Sequence, residues 1–133
     1  MPETPTTYKV LIIDDEELLR HYYSFCFEKT GFTVFEAANG TLGLELAAKE
    51  QPDLVILDLI MPGMLGFEVC KRLRDNPAFS TTAIIITSAK SYKPDIDKAI
   101  QLGADAYITK PVDHDDLIKI SMEKINQRKA AKA

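Results

Sequence analysis

Leu54–Asp58 reads LVILD: four apolar residues, two of them β-branched, closed by a carboxylate. A run this short, with Pro52 before it and the loop at residues 61–66 after it, suits a strand covered on both faces, as in a parallel sheet. The pattern recurs at residues 10–15 (VLIIDD), 83–88 (AIIITS) and 106–111 (AYITKP). In an open parallel sheet, ligands bind in the crevice beyond the carboxyl ends of the strands. Asp14, Asp15, Asp58, Ser88 and Lys110 should therefore meet in one place.

The segments between these runs have helical spacing, so strands alternate with helices and an α/β fold is expected. A strand at Lys9–Ile13 leads into a helix over about 16–29, with Leu18, Leu19, Tyr22, Phe25 and Cys26 as its apolar face and Gly31 as its stop. Thr33–Ala37 is the second strand. Asn39 and Gly40 open a helix presenting Leu42, Leu46 and Ala47, which Pro52 prevents from continuing. After the third strand comes a helix with Phe67, Val69, Cys70 and Leu73, broken near Asn76 and Pro77. A fourth strand over 83–87 precedes a helix with Pro94 in its first turn and Gly103 at its end. The fifth strand is short, 106–108. Asp113 caps the last helix, whose apolar positions are Leu117, Ile118, Ile120, Met122 and Ile125.

At 133 residues the chain is expected to form one domain over residues 8–127. Residues 1–7 read as a polar lead-in and 128–133 as a tail in which Arg128, Lys129 and Lys132 form a solvated basic helix end. Net charge is -4, with Asp14, Asp15, Glu16 and Glu17 gathered at the expected crevice. That sign argues against nucleic acid as a direct ligand and for a cation. No apolar stretch is long enough to span a membrane, and the start lacks the basic and apolar regions of a signal peptide, so a cytoplasmic protein is expected. Cys26 and Cys70 are expected as buried free thiols. His21 and His114 are expected on helix surfaces, solvated and outside the site.

Carboxylates 4 Å apart repel by roughly 4 kcal/mol per pair at an effective dielectric of 20. The cluster must take up a proton or a cation. Carboxylate oxygens completed by water suit Mg²⁺, which favours phosphate as a further ligand. Cys and His do not occur at the spacing of a zinc site. One carboxylate could then attack a phosphoryl group held by the metal, with catalysis mainly by positioning and charge stabilisation.

Asp14-Asp15, Asp58, Ser88-Ala89 and Lys110-Pro111 stand in this order, with 30 positions from Asp58 to Ser88 and 52 from Asp58 to Lys110. Together with residues 58–63 (DLIMPG), 66–68 (GFE) and 102–111 (LGADAYITKP), they resemble the receiver domain of two-component response regulators. The resemblance runs over about residues 8–125. It implies a doubly wound, flavodoxin-like (βα)5 fold with a five-stranded parallel sheet in the order 2-1-3-4-5. It further implies that Asp58 accepts the phosphoryl group and that Mg²⁺ is held by Asp15 directly, by Asp14 mainly through water, by Asp58 and by the main-chain oxygen of Ile60. Lys110 would pair with one phosphoryl oxygen and Ser88 would hydrogen-bond another. Pro111 would set the turn that aims Lys110, commonly through a cis bond, and Tyr107 would be the aromatic switch.

The implied partners are a sensor histidine kinase or histidine phosphotransfer protein as donor and a downstream protein as target. The surface of the fourth helix, fifth strand and fifth helix would carry the response, with the chain a monomer or a weak homodimer through that surface. No membrane contact is implied, and no enzyme activity beyond chemistry at its own Asp58. The chain ends soon after the last helix, which suggests a single-domain regulator or a fragment of a longer one. Three departures stand out: Leu65 where an acid is common, Ser88 for threonine, and Ser121 for an aliphatic residue. Ile60 and Lys90 flank the expected path of hydrolytic water, and bulky Ile60 is expected to slow loss of the phosphoryl group.

Other readings use the same residues differently. A Mg²⁺-dependent phosphatase or phosphotransferase would share the aspartate nucleophile but needs a cap or specificity pocket, for which five β/α units leave few residues. A flavodoxin-like cofactor binder would need a Gly-rich or Ser/Thr-rich loop after the first strand, where Asp14 and Asp15 stand instead. A receiver-like interaction module without phosphorylation would have little use for the full acidic set.

Overall fold

Five strands and five helices alternate along residues 7–132, the part of the chain that the computed structural model describes. Apart from Thr7, the expected lead-in lies outside the described residues. The elements are β1 (Lys9–Ile13), α1 (Glu17–Lys29), β2 (Thr33–Ala37), α2 (Gly40–Glu50), β3 (Leu54–Asp58), α3 (Gly66–Arg74), a 3₁₀ turn (Pro77–Phe79), β4 (Ala83–Ser88), α4 (Lys93–Gln101), β5 (Ala106–Thr109) and α5 (His114–Lys132). The strands form one sheet in the order β2-β1-β3-β4-β5, as expected, and every pairing is parallel.

Strand alternation sorts the core into two layers. Leu11, Ile13, Val55, Leu57, Ile84 and Ile86 face Ala47 of α2, Val69 and Leu73 of α3 and Ala99 of α4. Val10, Ile12, Leu54, Ile56, Ala83 and Ile85 face Tyr23, Cys26 and Phe27 of α1 and Leu117 and Ile125 of α5. Helix starts follow the sequence signals: Asn39 Oδ1 accepts from Leu42 N at 2.9 Å, and Asp113 Oδ2 accepts from Asp115 N and Asp116 N at 3.1 and 3.2 Å. Among the described residues no helix is long and apolar enough to cross a membrane. Both cysteines are free and buried.

Four expectations need correction. Helix α1 buries Tyr23, Ser24, Cys26 and Phe27, while Leu18 and Phe25 are 84% and 62% exposed and Tyr22 is also exposed. With apolar residues on nearly every side of this helix, two stripes of similar ring content compete, and the one containing Tyr23, Cys26 and Phe27 packs on the sheet. Leu42 of α2 is likewise exposed, and Ala47 and Gly43 make that helix's close contacts. The residues read as a tail continue α5: Arg128 Nε donates to Asp105 Oδ1 at 2.8 Å, and Lys129 Nζ lies 2.7 Å from Asp53 Oδ1. Finally, His21 is exposed as expected, but His114 is half-buried, with Nδ1 3.1 Å from Asp115 Oδ1 and Nε2 buried without a partner.

Candidate functional site

The carboxyl ends of four strands deliver the expected residues to one crevice. Asp14 follows β1, Asp58 ends β3, Ser88 ends β4 and Lys110 follows β5. Asp14 is held on all sides: its N–H donates to Ala37 O at 3.1 Å, its carbonyl accepts from Arg20 Nη1 at 2.7 Å, and its Oδ1 accepts from Glu16 N at 2.8 Å. Asp14 and Asp58 are buried and Asp15 is exposed, and one carboxylate oxygen from each lies within 4.8 Å of the others. Lys110 Nζ donates to Asp58 Oδ1 at 3.1 Å and to Asp14 Oδ2 at 3.3 Å, with Glu16 Oε1 at 3.8 Å.

One ammonium among three carboxylates leaves the cluster short of positive charge. Burial, and then the charge of Asp14, push the Asp58 carboxyl up to about 6, against the pull of Lys110. For Lys110 burial opposes the charged form, but the hydrogen bond and charge of Asp58 and the charge of Asp14 outweigh it, and its pKa is raised. The donor set is all oxygen and carries excess negative charge, so it fits a small hard cation and not a thiolate- or imidazole-seeking one.

Ile60, Ser88, Ala89 and Lys90 complete the walls of this open crevice of about 370 Å³ with Asp15, Glu16, Asp58 and Lys110. Ser88 Oγ accepts from Lys90 N at 3.1 Å, so its hydroxyl proton is free to turn toward a ligand. The Lys110–Pro111 bond is cis, and Lys110 N donates to Ser88 O at 2.7 Å. Tyr107 is set apart from the crevice: it is half-buried against the α2–α3–α4 layer and its hydroxyl donates to Lys90 O at 2.7 Å. Gly66 is required by close approach, since a Cβ there would sit 2.5 Å from Asp58 O and 2.9 Å from Leu59 Cα. Helix α3 can therefore start directly against the backbone of Asp58.

Three residues at the site were missed by reading the sequence. Arg20 braces the Asp14 carbonyl and lies 3.3 Å from Glu36. Thr87, paired with Asp58 across the β3–β4 ladder, is fully buried, and so is Tyr23 of α1. For Thr87 the signal was available: by alternation it continues the series Ala83 and Ile85, which faces the α1–α5 layer. Tyr23 was hidden by the competing apolar stripe of α1.

The family model for the response regulator receiver domain matches residues 10–121. The chain belongs to this family. This receiver domain is 36% identical to protein PilH of Pseudomonas aeruginosa over 111 residues, covering 84% of the chain and 92% of PilH. It is 38% identical to sporulation initiation phosphotransferase F of Bacillus subtilis over 109 residues, covering 82% and 86%. Against several transcriptional regulators the receiver domain spans less than half of the relative's length. The structure superposes on chemotaxis protein CheY4 of Vibrio cholerae with a TM-score of 0.85 at 28% identity, over 90% of this chain and 99% of that one. Receiver domains are the phosphoacceptor switches of two-component systems and bind Mg²⁺ in an acidic pocket.

Proposed function

We propose that Asp58 is the phosphoacceptor of this receiver domain and that its modification switches a protein-binding surface. The observation that carries the reading is the pairing of a buried carboxylate with a single ammonium: Lys110 Nζ sits 3.1 Å from Asp58 Oδ1 at the floor of an open crevice. An Asp58 oxygen forms the new O–P bond while the P–N bond of a phosphohistidine, or the P–O bond of a small acyl phosphate, breaks. Lys110 then turns from the lost carboxylate charge to a phosphoryl oxygen, and the Ser88 hydroxyl donates to another. Asp14, Asp15, Asp58 and the Ile60 carbonyl would hold Mg²⁺, which when bound offsets the charge of the carboxylates and of the incoming group. Ile60, half-exposed on the crevice wall, restricts water attack on the product.

Loss of the Asp58–Lys110 ion pair and recruitment of Ser88 bias a two-state equilibrium of the β4–α4 loop. Tyr107 reports on that loop through Lys90 O, and α4, β5 and α5 form the surface that a downstream protein reads, with weak homodimerisation there as a second use. The donor is a histidine kinase or a histidine phosphotransfer protein in the cytoplasm. The chain is an acceptor and not an enzyme with external substrates, because five β/α units account for the described residues and the crevice is uncapped among them.

The test is intact mass after incubation with acetyl phosphate, with and without Mg²⁺, for the wild type and Asp58→Ala. One added phosphoryl group that requires both Mg²⁺ and Asp58 is expected. An adduct that survives in Asp58→Ala would assign the chemistry to another residue. No adduct in the wild type, with no beryllofluoride binding, would leave the interaction-module reading.

A further inference from the structure

Beneath the crevice, on the α1–α5 side of the sheet, two hydroxyls are buried without a hydrogen-bond partner: Tyr23 Oη and Thr87 Oγ1. Their residues are 1% and 0% exposed. A buried hydroxyl left unpaired costs about 1–3 kcal/mol, so two of them close to one site call for a reason.

Their placement supplies one. By alternation Thr87 faces the same way as Ala83 and Ile85, and Asp58 the same way as Leu54 and Ile56, all of which belong to the layer that contains Tyr23. Tyr23 lies two turns into α1, a helix whose N-terminus is at the crevice, and helical side chains lean toward the N-terminus. The phenol is therefore aimed up at the floor of the site. It responds accordingly: burial pushes it up to about 12, Lys110 and the Thr87 hydroxyl act to lower that value, and Asp14 and Asp58 act to raise it. The phenol stays neutral at physiological pH and keeps both a donor and an acceptor.

We propose that Tyr23 is a positioning residue for Lys110, its phenolic hydroxyl forming with Thr87 a buried polar floor that steadies the ammonium when it leaves Asp58 for the phosphoryl group. In the present state Lys110 has carboxylate partners and the floor goes unused. Once Asp58 is esterified its share of the ammonium's hydrogen bonding is lost, and a neutral acceptor below keeps Lys110 from drifting toward Glu16 and solvent. An aliphatic floor would offer nothing in exchange.

This role rests on phosphorylation of Asp58, and its test separates the two. Phosphorylation by acetyl phosphate is followed by intact mass across a Mg²⁺ titration for wild type, Tyr23→Phe and Thr87→Val. At saturating Mg²⁺ the Tyr23→Phe rate should fall by about threefold to tenfold, the worth of one hydrogen bond, and Thr87→Val should fall by less. The Mg²⁺ concentration giving half the maximal rate should not change, because the carboxylates are untouched, and the thermal midpoint should not drop, because an unpaired hydroxyl has been removed. An unchanged rate in Tyr23→Phe beside a normal wild-type adduct overturns the positioning role alone. A slower rate accompanied by weaker Mg²⁺ dependence or a lowered midpoint also overturns it, since loosened packing would then be the cause. No adduct in the wild type removes the phosphoacceptor reading and this role with it.

Discussion

The two ends of the sheet treat aspartate in opposite ways. At the amino end, Asp105 precedes β5 and is matched by two cations: Oδ2 accepts from Arg74 Nη2 and from Ile84 N, both at 2.9 Å, and Oδ1 accepts from Arg128 Nε at 2.8 Å. Asp53 precedes β3 and accepts from Lys9 N at 2.8 Å, with Lys129 Nζ at 2.7 Å. At the carboxyl end, three aspartates crowd together and one lysine bonds only two of them, Asp14 and Asp58. The same side chain is thus a fastening at one end and a deficit at the other. What differs is the supply of cations. Arginines from α3 and α5 reach the amino end, and the carboxyl end is left to be completed from outside.

The comparison can be broken by experiment, most strongly through pH. Asp58 is raised from 3.8 to about 6, so between those values the folded chain binds more protons than the unfolded one, and stability falls as pH rises through that window. In the presence of a chelator, wild type should lose on the order of 3 kcal/mol at this group between pH 4 and pH 7. Asp58→Asn should remove that contribution, and saturating Mg²⁺ should offset it in the wild type. Denaturant unfolding at several pH values decides; a slope shared equally by Asp58→Asn would place the deficit elsewhere.

Asp105→Ala should act in the other sense, costing about 2–3 kcal/mol because it strands two half-buried arginines and the Ile84 N–H, yet leaving phosphorylation from acetyl phosphate intact. If it slowed phosphorylation without unfolding the chain, the two ends would not be independent. A smaller effect is expected at the crevice wall. Ile60→Asn should speed phosphoryl loss several-fold, about 1 kcal/mol of barrier, with stability little changed. An unchanged decay rate would remove Ile60 from the control of water. The smallest effect belongs to Lys129→Ala, which breaks a surface pair and should cost about 0.5 kcal/mol by thermal unfolding.

The carboxyl end was the more legible in sequence. Asp14, Asp58, Ser88 and Lys110 each close a β-branched run, so strand direction alone brings them together; the alternation of elements implies a parallel sheet, and the order of its strands is what the family resemblance implies. The amino end was not legible. Arg128 lies 23 positions from Asp105 and Arg74 lies 31, and nothing local marks distant residues as partners. Arg128 and Lys129 therefore read as a solvated end when they tie α5 down. The α1 face was read only in part, for a different reason: Leu19 and Cys26 face the core as expected, but Leu18, Tyr22 and Phe25 have as good a helical period as Leu19, Tyr23 and Cys26, and only the space over the sheet chooses between them. Tyr23 went unseen as a polar group because a tyrosine among apolar neighbours reads as packing until its hydroxyl is found to be alone.

Gly66 has a mechanical consequence. Most helices rest on their neighbours through side chains, which can rotate and absorb a small push. Here the first residue of α3 bears directly on the main chain of Asp58 and Leu59, with no room even for a methyl group, and Gly66 N is tied to Leu59 O at 2.9 Å. A contact of backbone on backbone is stiff. Side-chain rotation is therefore not available there to absorb a shift of the Asp58 peptide, and the first turn of α3 has to move with that peptide or strain the contact.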